Sequence, residues 1–199
     1  MTVNDQNQLS PHDHNTPKVY VISGPSGAGK DSVIALLLPL VDVDTVVTMT
    51  TRRRRETEVD GVHYRFVTRE DFEDRLANKE LLESALVHEN WYGVPADTVR
   101  ASLAKGRSVL IKVDPQGAAT IKQMVPDGIF IFIRPSSLDE LKDRLIARGS
   151  ESTEEMTVRL ANAEHEMAEQ VWFDHVVENR NGQIDQAVAY IRDIINAQK

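Results

Sequence analysis

The stretch Gly24-Pro25-Ser26-Gly27-Ala28-Gly29-Lys30-Asp31 constrains the chain more than any other. It stands between an apolar run, Val19 to Ile22, and a helix-like run, Ser32 to Leu38, giving the order strand, glycine-rich turn, helix start. Closely spaced glycines allow a tight turn that presents several backbone N–H groups at one point, and the following helix adds the positive end of its dipole. Polyphosphate is the natural ligand of such a nest. Lys30 adds a mobile charge able to follow a group passing between the β- and γ-phosphates of a nucleotide.

Asp31 departs from the usual form of this loop, in which a Ser or Thr after the lysine offers its hydroxyl to Mg²⁺. A carboxylate is also a hard oxygen ligand and is tolerated in a first helical turn, so Asp31 is the metal candidate. Its repulsion with phosphate when no metal is present predicts a stringent requirement for a divalent cation.

The chain has 199 residues, of which 41% are hydrophobic and 27% charged, enough for one domain with a sizeable core and an inserted subdomain. A net charge of −8 argues against a protein that mainly holds nucleic acid, so an anion site must be built locally against the overall field. The absence of cysteine excludes disulfides and thiolate metal sites and fits a reducing compartment. No run has the apolar length of a membrane span, and the first residues lack the basic-then-apolar pattern of a secretory signal, so the expected location is the cytoplasm with no membrane partner. Residues 1–16 are polar and are expected to form a disordered tail, with His12 and His14 solvated.

Beyond the loop, Pro39 closes the first helix, Val41 to Thr51 reads as one or two strands, and Arg52 to about Thr68 is polar with short extended pieces, in keeping with an insertion. Asp71 to Ala77 and Asp97 to Lys105 have helical spacing, with Glu80 to Val87 an apolar patch around Glu83. Ser108 to Asp114 reads as a strand ending on an acid, Ala118 to Met124 as helix, Gly128 to Ile133 as a buried strand and Leu138 to Arg148 as helix. Ser152 to Gln170 reads as a long charged helix, His175 to Val177 as a short strand and Ile184 to Ala197 as the terminal helix. Alternating strands and helices predict an α/β fold with a mainly parallel sheet covered on both faces. His63, His88, His165 and His175 lack ligand spacing, and Trp91 and Trp172 read as core aromatics.

Thr50-Thr51-Arg52-Arg53-Arg54-Arg55, taken alone, is a solvated basic cluster or a nucleic-acid patch in equal measure. Several further motifs follow it in order: Glu58-Val59-Asp60-Gly61-Val62-His63-Tyr64, Glu83, Asn90-Trp91-Tyr92-Gly93, Asp114-Pro115-Gln116-Gly117, Arg148-Gly149-Ser150-Glu151-Ser152 and Val176-Val177-Glu178-Asn179. Together they resemble the guanylate kinase family, whose pattern runs T-T-R-x-x-R, G-E-V-D-G-x-x-Y, a Glu in an apolar context, Y-Y-G-[ST], D-x-Q-G, R-G-T-E-[ST] and V-V-x-N. The resemblance covers nearly everything from Lys18 to Ile195.

The resemblance implies a P-loop NTPase three-layer fold, with a core of about 17–47 and 106–197, a GMP-binding insertion of about 48–105 and a small mobile lid of about 149–159. It implies ATP as donor on Gly24, Pro25, Ser26, Gly27, Ala28, Gly29, Lys30 and Asp31, with Asn179 near the adenine. Arg52, Arg55, Tyr64 and Tyr92 would hold the phosphate of the acceptor GMP, and guanidinium forks and phenolic hydroxyls are fitted to that dianion. Arg53 and Arg54 are read as solvated neighbours. Glu83 would read guanine, whose N1–H and 2-amino group are adjacent donors that one carboxylate accepts together, whereas adenine offers an unprotonated N1.

Thr48 resembles the hydroxyl residue near the guanine carbonyl, and Asp114 the acid on the base or ribose side. Arg144, Arg148 and Arg159 resemble the donor-side arginines; the first two lie four apart on one helix and are expected to face the same phosphates. Val94 stands where the family has a Ser or Thr, and Lys112 where many members carry an acid. Asp31 and Val94 also resemble ribose 1,5-bisphosphate phosphokinase, which lacks the full Arg52 to Tyr64 pattern. Non-catalytic guanylate-kinase-like binding modules share the fold but typically have degraded phosphate loops.

Overall fold

A computed structural model describes residues 16–87, 89–147 and 153–198. The expected disordered tail, apart from Thr16, lies outside those residues, as do His88, Arg148 and the first part of the expected lid. In chain order the elements are β1 (Val19–Ser23), α1 (Lys30–Leu37), β2 (Asp44–Val46), β3 (Met49–Thr50), β4 (Arg65–Phe66), α2 (Arg69–Ala77), β5 (Leu81–Val87) and β6 (Asn90–Pro95). There follow α3 (Ala96–Ala104), β7 (Val109–Lys112), α4 (Pro115–Met124), β8 (Ile129–Arg134), α5 (Leu138–Ala147), α6 (Thr153–Ala168), β9 (His175–Glu178) and α7 (Ile184–Asn196).

β2, β7, β1, β8 and β9 form a wholly parallel sheet in that order. Every residue of β1 is buried, as expected for a central strand covered on both faces. On one face Tyr20, Ile22, Leu110, Ile131 and Ile133 pack with α1 and with Val188, Ile191 and Ile195 of α7. On the other, Val21, Ile111, Phe130 and Phe132 pack with Val99 of α3, Ala118 and Ile121 of α4, and Phe173. Helix, sheet and helix make the expected three-layer α/β architecture.

A second, smaller sheet of order β4-β3-β6-β5 comes from residues 49–95. It is mixed, with β3 parallel to β4 and antiparallel to β6, and β5 antiparallel to β6. The apolar patch is therefore a strand over Leu81–Val87, and Asn90–Pro95, visible in the sequence only as a motif, is its hairpin partner. The short span from β2 to β3 crosses from one sheet to the other, so Thr48 of that span, Gly24 after β1 and Lys112 at the end of β7 border one cleft.

Candidate active site

The cleft has a volume of about 240 Å³ and opens at the carboxyl end of the parallel sheet. One wall is the glycine loop between β1 and α1. Gly24 has φ 138°, and a Cβ there would fall on the Ile133 carbonyl of β8, so only glycine lets the chain leave β1 this closely against its neighbour. The Lys30 ammonium bonds to the carbonyls of Gly24 and Pro25, and burial lowers its pKa. Gly24, Pro25, Ser26, Gly27, Gly29, Lys30 and Asp31 all line the cleft.

Ala28, alone among the expected loop residues, is buried and does not line the cleft, and Asn179 and Arg144 stand behind it. Asn179, buried after β9, donates from Nδ2 to the Ala28 carbonyl at 2.8 Å. Arg144 of α5 donates to the same carbonyl at 3.0 Å, to the Asn179 carbonyl and to Glu140 Oε1 at 2.6 Å. Its guanidinium therefore braces the underside of the loop and does not line the cleft with the phosphate nest, because nearby backbone carbonyls and Glu140 absorb its donors. Arg159 of α6 does line the cleft. So does Glu166 of the same helix, whose Oε2 accepts from the Ser26 amide at 3.2 Å. No motif in the sequence marks Glu166.

The opposite wall comes from the smaller sheet and its loops. Arg52, Arg55, Tyr64 and Tyr92 line the same cleft. The Tyr64 and Tyr92 rings meet edge-on at 5.8 Å, and the Arg52 guanidinium stands 5.5 Å from the Tyr64 ring centroid. Glu58, whose motif alone signals no such part, organises this cluster: Oε1 pairs with Arg52 at 2.7 Å and Oε2 accepts the Arg55 amide at 2.8 Å. Burial alone would raise its pKa, but these partners bring it below the usual carboxylate value. Arg54 is exposed, as expected of a solvated neighbour, although its Nη1 donates to the Glu58 carbonyl at 2.8 Å.

Glu83 of β5 is 4% exposed, and its Oε1 has no hydrogen-bond partner among the described residues. Burial, with the Asp114 carboxylate nearby, pushes its pKa up to about 8. An unpaired buried carboxyl in a cleft is costly unless a ligand completes it. Val94 is its cross-strand partner on β6 and is fully buried, so position 94 supplies apolar surface. Asp114 lines the cleft but also caps α4, with Oδ1 accepting the Gly117 amide at 2.8 Å; β7 accordingly stops at Lys112, short of the acid expected to end it. Thr48 is buried and donates its hydroxyl to the Lys112 carbonyl at 3.1 Å. Asp31 Oδ1 meets the Lys112 ammonium at 2.6 Å. Two sequence departures of opposite charge are thus one ion pair. Among the described residues no group of three or more His, Asp or Glu side chains is placed to hold a metal.

A model of the family described as guanylate kinase matches residues 16–198. This chain belongs to the guanylate kinase family. Guanylate kinase from Clostridium perfringens (strain SM101 / Type A) is 42% identical over 189 residues, which is 94% of this chain and 87% of that protein. Guanylate kinase from Brucella melitensis biotype 1 is 41% identical over 184 residues, 91% of this chain and 83% of its own. The crystal structure of guanylate kinase from Anaplasma phagocytophilum superposes with a TM-score of 0.78 at 32% identity, covering 92% of this chain and 87% of that one. The chain is therefore an enzyme of the guanylate kinase type, with the family's nucleotide-binding α/β fold. No helix among the described residues is long and apolar enough to cross a membrane.

Proposed function

We propose that this guanylate kinase transfers the γ-phosphoryl group of ATP to GMP, and to dGMP, giving ADP and the nucleoside diphosphate. The observation that carries the reading is the unpartnered, buried Glu83 carboxyl in the same cleft as the Arg52, Arg55, Tyr64 and Tyr92 cluster and the Lys30 loop. Ionised, Glu83 accepts N1–H and the 2-amino group of guanine. Thr48 and Asp114 flank the base and ribose, and the two arginines and two tyrosines take the acceptor's phosphate.

The loop amides and Lys30 take the donor's phosphates, with Arg159 beside them and Arg148, which lies outside the described residues, assigned to the same phosphates. Arg144 and Asn179 hold the loop from behind. A phosphate oxygen of the acceptor attacks the γ-phosphorus in line, and the bond to the β–γ bridging oxygen breaks. Charge spreads over the transferring oxygens, so the protein's contribution is position and positive charge, with no covalent enzyme intermediate. The cation of such reactions is held mainly by nucleotide phosphates and water, and Asp31, on the cleft beside the glycine loop, would supply the modest share left to the protein. When bound, Mg²⁺ would neutralise charge on the donor's phosphates.

A coupled ADP-release assay over GMP, dGMP, AMP, CMP and ribose 1,5-bisphosphate tests the reading. GMP and dGMP are expected to be the preferred acceptors. Faster turnover of the sugar bisphosphate would replace guanine recognition by sugar-phosphate recognition, and failure to bind ATP would point to a non-catalytic module.

A further inference from the structure

Lys112 ends β7 at the carboxyl edge of the parallel sheet, and its side chain is only 14% exposed. Its ammonium pairs with Asp31 in the first turn of α1 and stands 4.1 Å from the centroid of the Tyr64 ring. Asp31 follows the donor loop and Tyr64 precedes β4, so one cation touches both walls of the cleft. Arg52 approaches the same ring, which puts the two cations no more than about 10 Å apart. A phosphate spans a gap of that size and accepts from both sides.

Resting on the acceptor assignment above, we propose that Lys112 is a further substrate-binding residue, donating to the acceptor's phosphate. An ammonium has three donors, and Asp31 engages only part of that capacity. The Asp31 side chain is 64% exposed, so solvent weakens its hold, whereas the dianion of a nucleoside monophosphate offers a stronger partner. The rival role is purely local: the ammonium neutralises Asp31 and never meets substrate.

Calorimetric titration with GMP and with guanosine, in EDTA and without ATP, separates the two roles. In an Asp31→Ser background no carboxylate remains at 31 for the lysine to neutralise. Comparing Asp31→Ser with Asp31→Ser/Lys112→Met, GMP binding weakens about tenfold, guanosine binding is unchanged, and Lys112→Arg in that background recovers most of the loss. Unchanged guanosine binding also reports a folded variant; Asp31→Ser/Lys112→Gln serves as the second probe. Equal GMP affinity with and without Lys112, equal losses for GMP and guanosine, or no recovery by arginine would each overturn the proposal. Wild-type protein that binds no GMP would instead remove the acceptor assignment on which it rests.

Discussion

Glu83 fills the space that a side chain at position 117 would need: a Cβ on Gly117 would stand 2.8 Å from its Oε1. Gly117 also gives its amide to Asp114, so one glycine in the first turn of α4 sets two carboxyl groups of the cleft. In Gly117→Ala the methyl group displaces the Glu83 carboxyl, while alanine in place of glycine favours the helix by up to about 1 kcal/mol. Steady-state kinetics are expected to show a GMP KM raised about tenfold, with a much smaller change in the KM for ATP. Equal effects on both substrates would show that the glycine serves the helix alone.

Proton release reports the state of Glu83. With its pKa pushed up to about 8, it is mainly protonated near pH 7 in the empty protein, and accepting two donors from guanine requires the carboxylate. GMP binding at that pH should release roughly one proton. Calorimetry in buffers of different ionisation enthalpy measures it, and Glu83→Gln should release none through this group. The folded value lies above the unfolded one of 4.5, so this group's contribution to stability is complete below pH 4.5 and is lost as pH rises through about 8. Urea denaturation should therefore show Glu83→Gln gaining on the wild type as pH increases across that interval.

Glu58 pairs with the Arg52 side chain and accepts the Arg55 amide, and removing it leaves the Arg52 guanidinium, itself only 17% exposed, without its carboxylate. Glu58→Ala is expected to lose about 1–3 kcal/mol of stability by urea denaturation and to raise the GMP KM about tenfold. Because the Glu58 pKa is depressed on folding, its contribution is present above the unfolded value and fades as pH falls through the folded one. The stability gap between Glu58→Ala and wild type should close in acid.

Glu166 holds a loop amide that a donor phosphate would otherwise claim, since Ser26 N–H points at its Oε2. Glu166→Gln removes the negative charge and keeps the shape. Titration with a fluorescent ATP analogue should show severalfold tighter binding, as expected when one like charge is withdrawn from an anion site. Weaker binding would mean that the carboxylate supports the loop more than it competes with phosphate.

The strand, glycine turn and helix start are legible because they are local: glycines, lysine and helix start are contiguous, and β1 and α1 follow directly from the flanking pattern. Glu83, Arg52 and Tyr64 were legible through motifs, and the cleft collects them. Three relationships were hidden because they join distant positions. Periodicity along one helix suggested that Arg144 faces phosphate, yet its partners are the Ala28 and Asn179 carbonyls, contributed by other loops. Glu166 reaches Ser26 across 140 positions. Asp31 and Lys112 each looked like a departure, and only the closeness of α1 and the end of β7 makes them a pair. That pair also weakens the expectation of an unrelieved carboxylate against phosphate, since Lys112 already offsets the charge.

Glu83 against the acceptor's base, with the opposite wall on the donor, is the assignment on which the proposed transfer stands. Its most direct measurement is kcat/KM for GMP in Glu83→Gln at saturating ATP, with the KM for ATP measured alongside. Efficiency with GMP is expected to fall at least about 100-fold, with the ATP value kept within about twofold. Wild-type efficiency with GMP in that variant would contradict it.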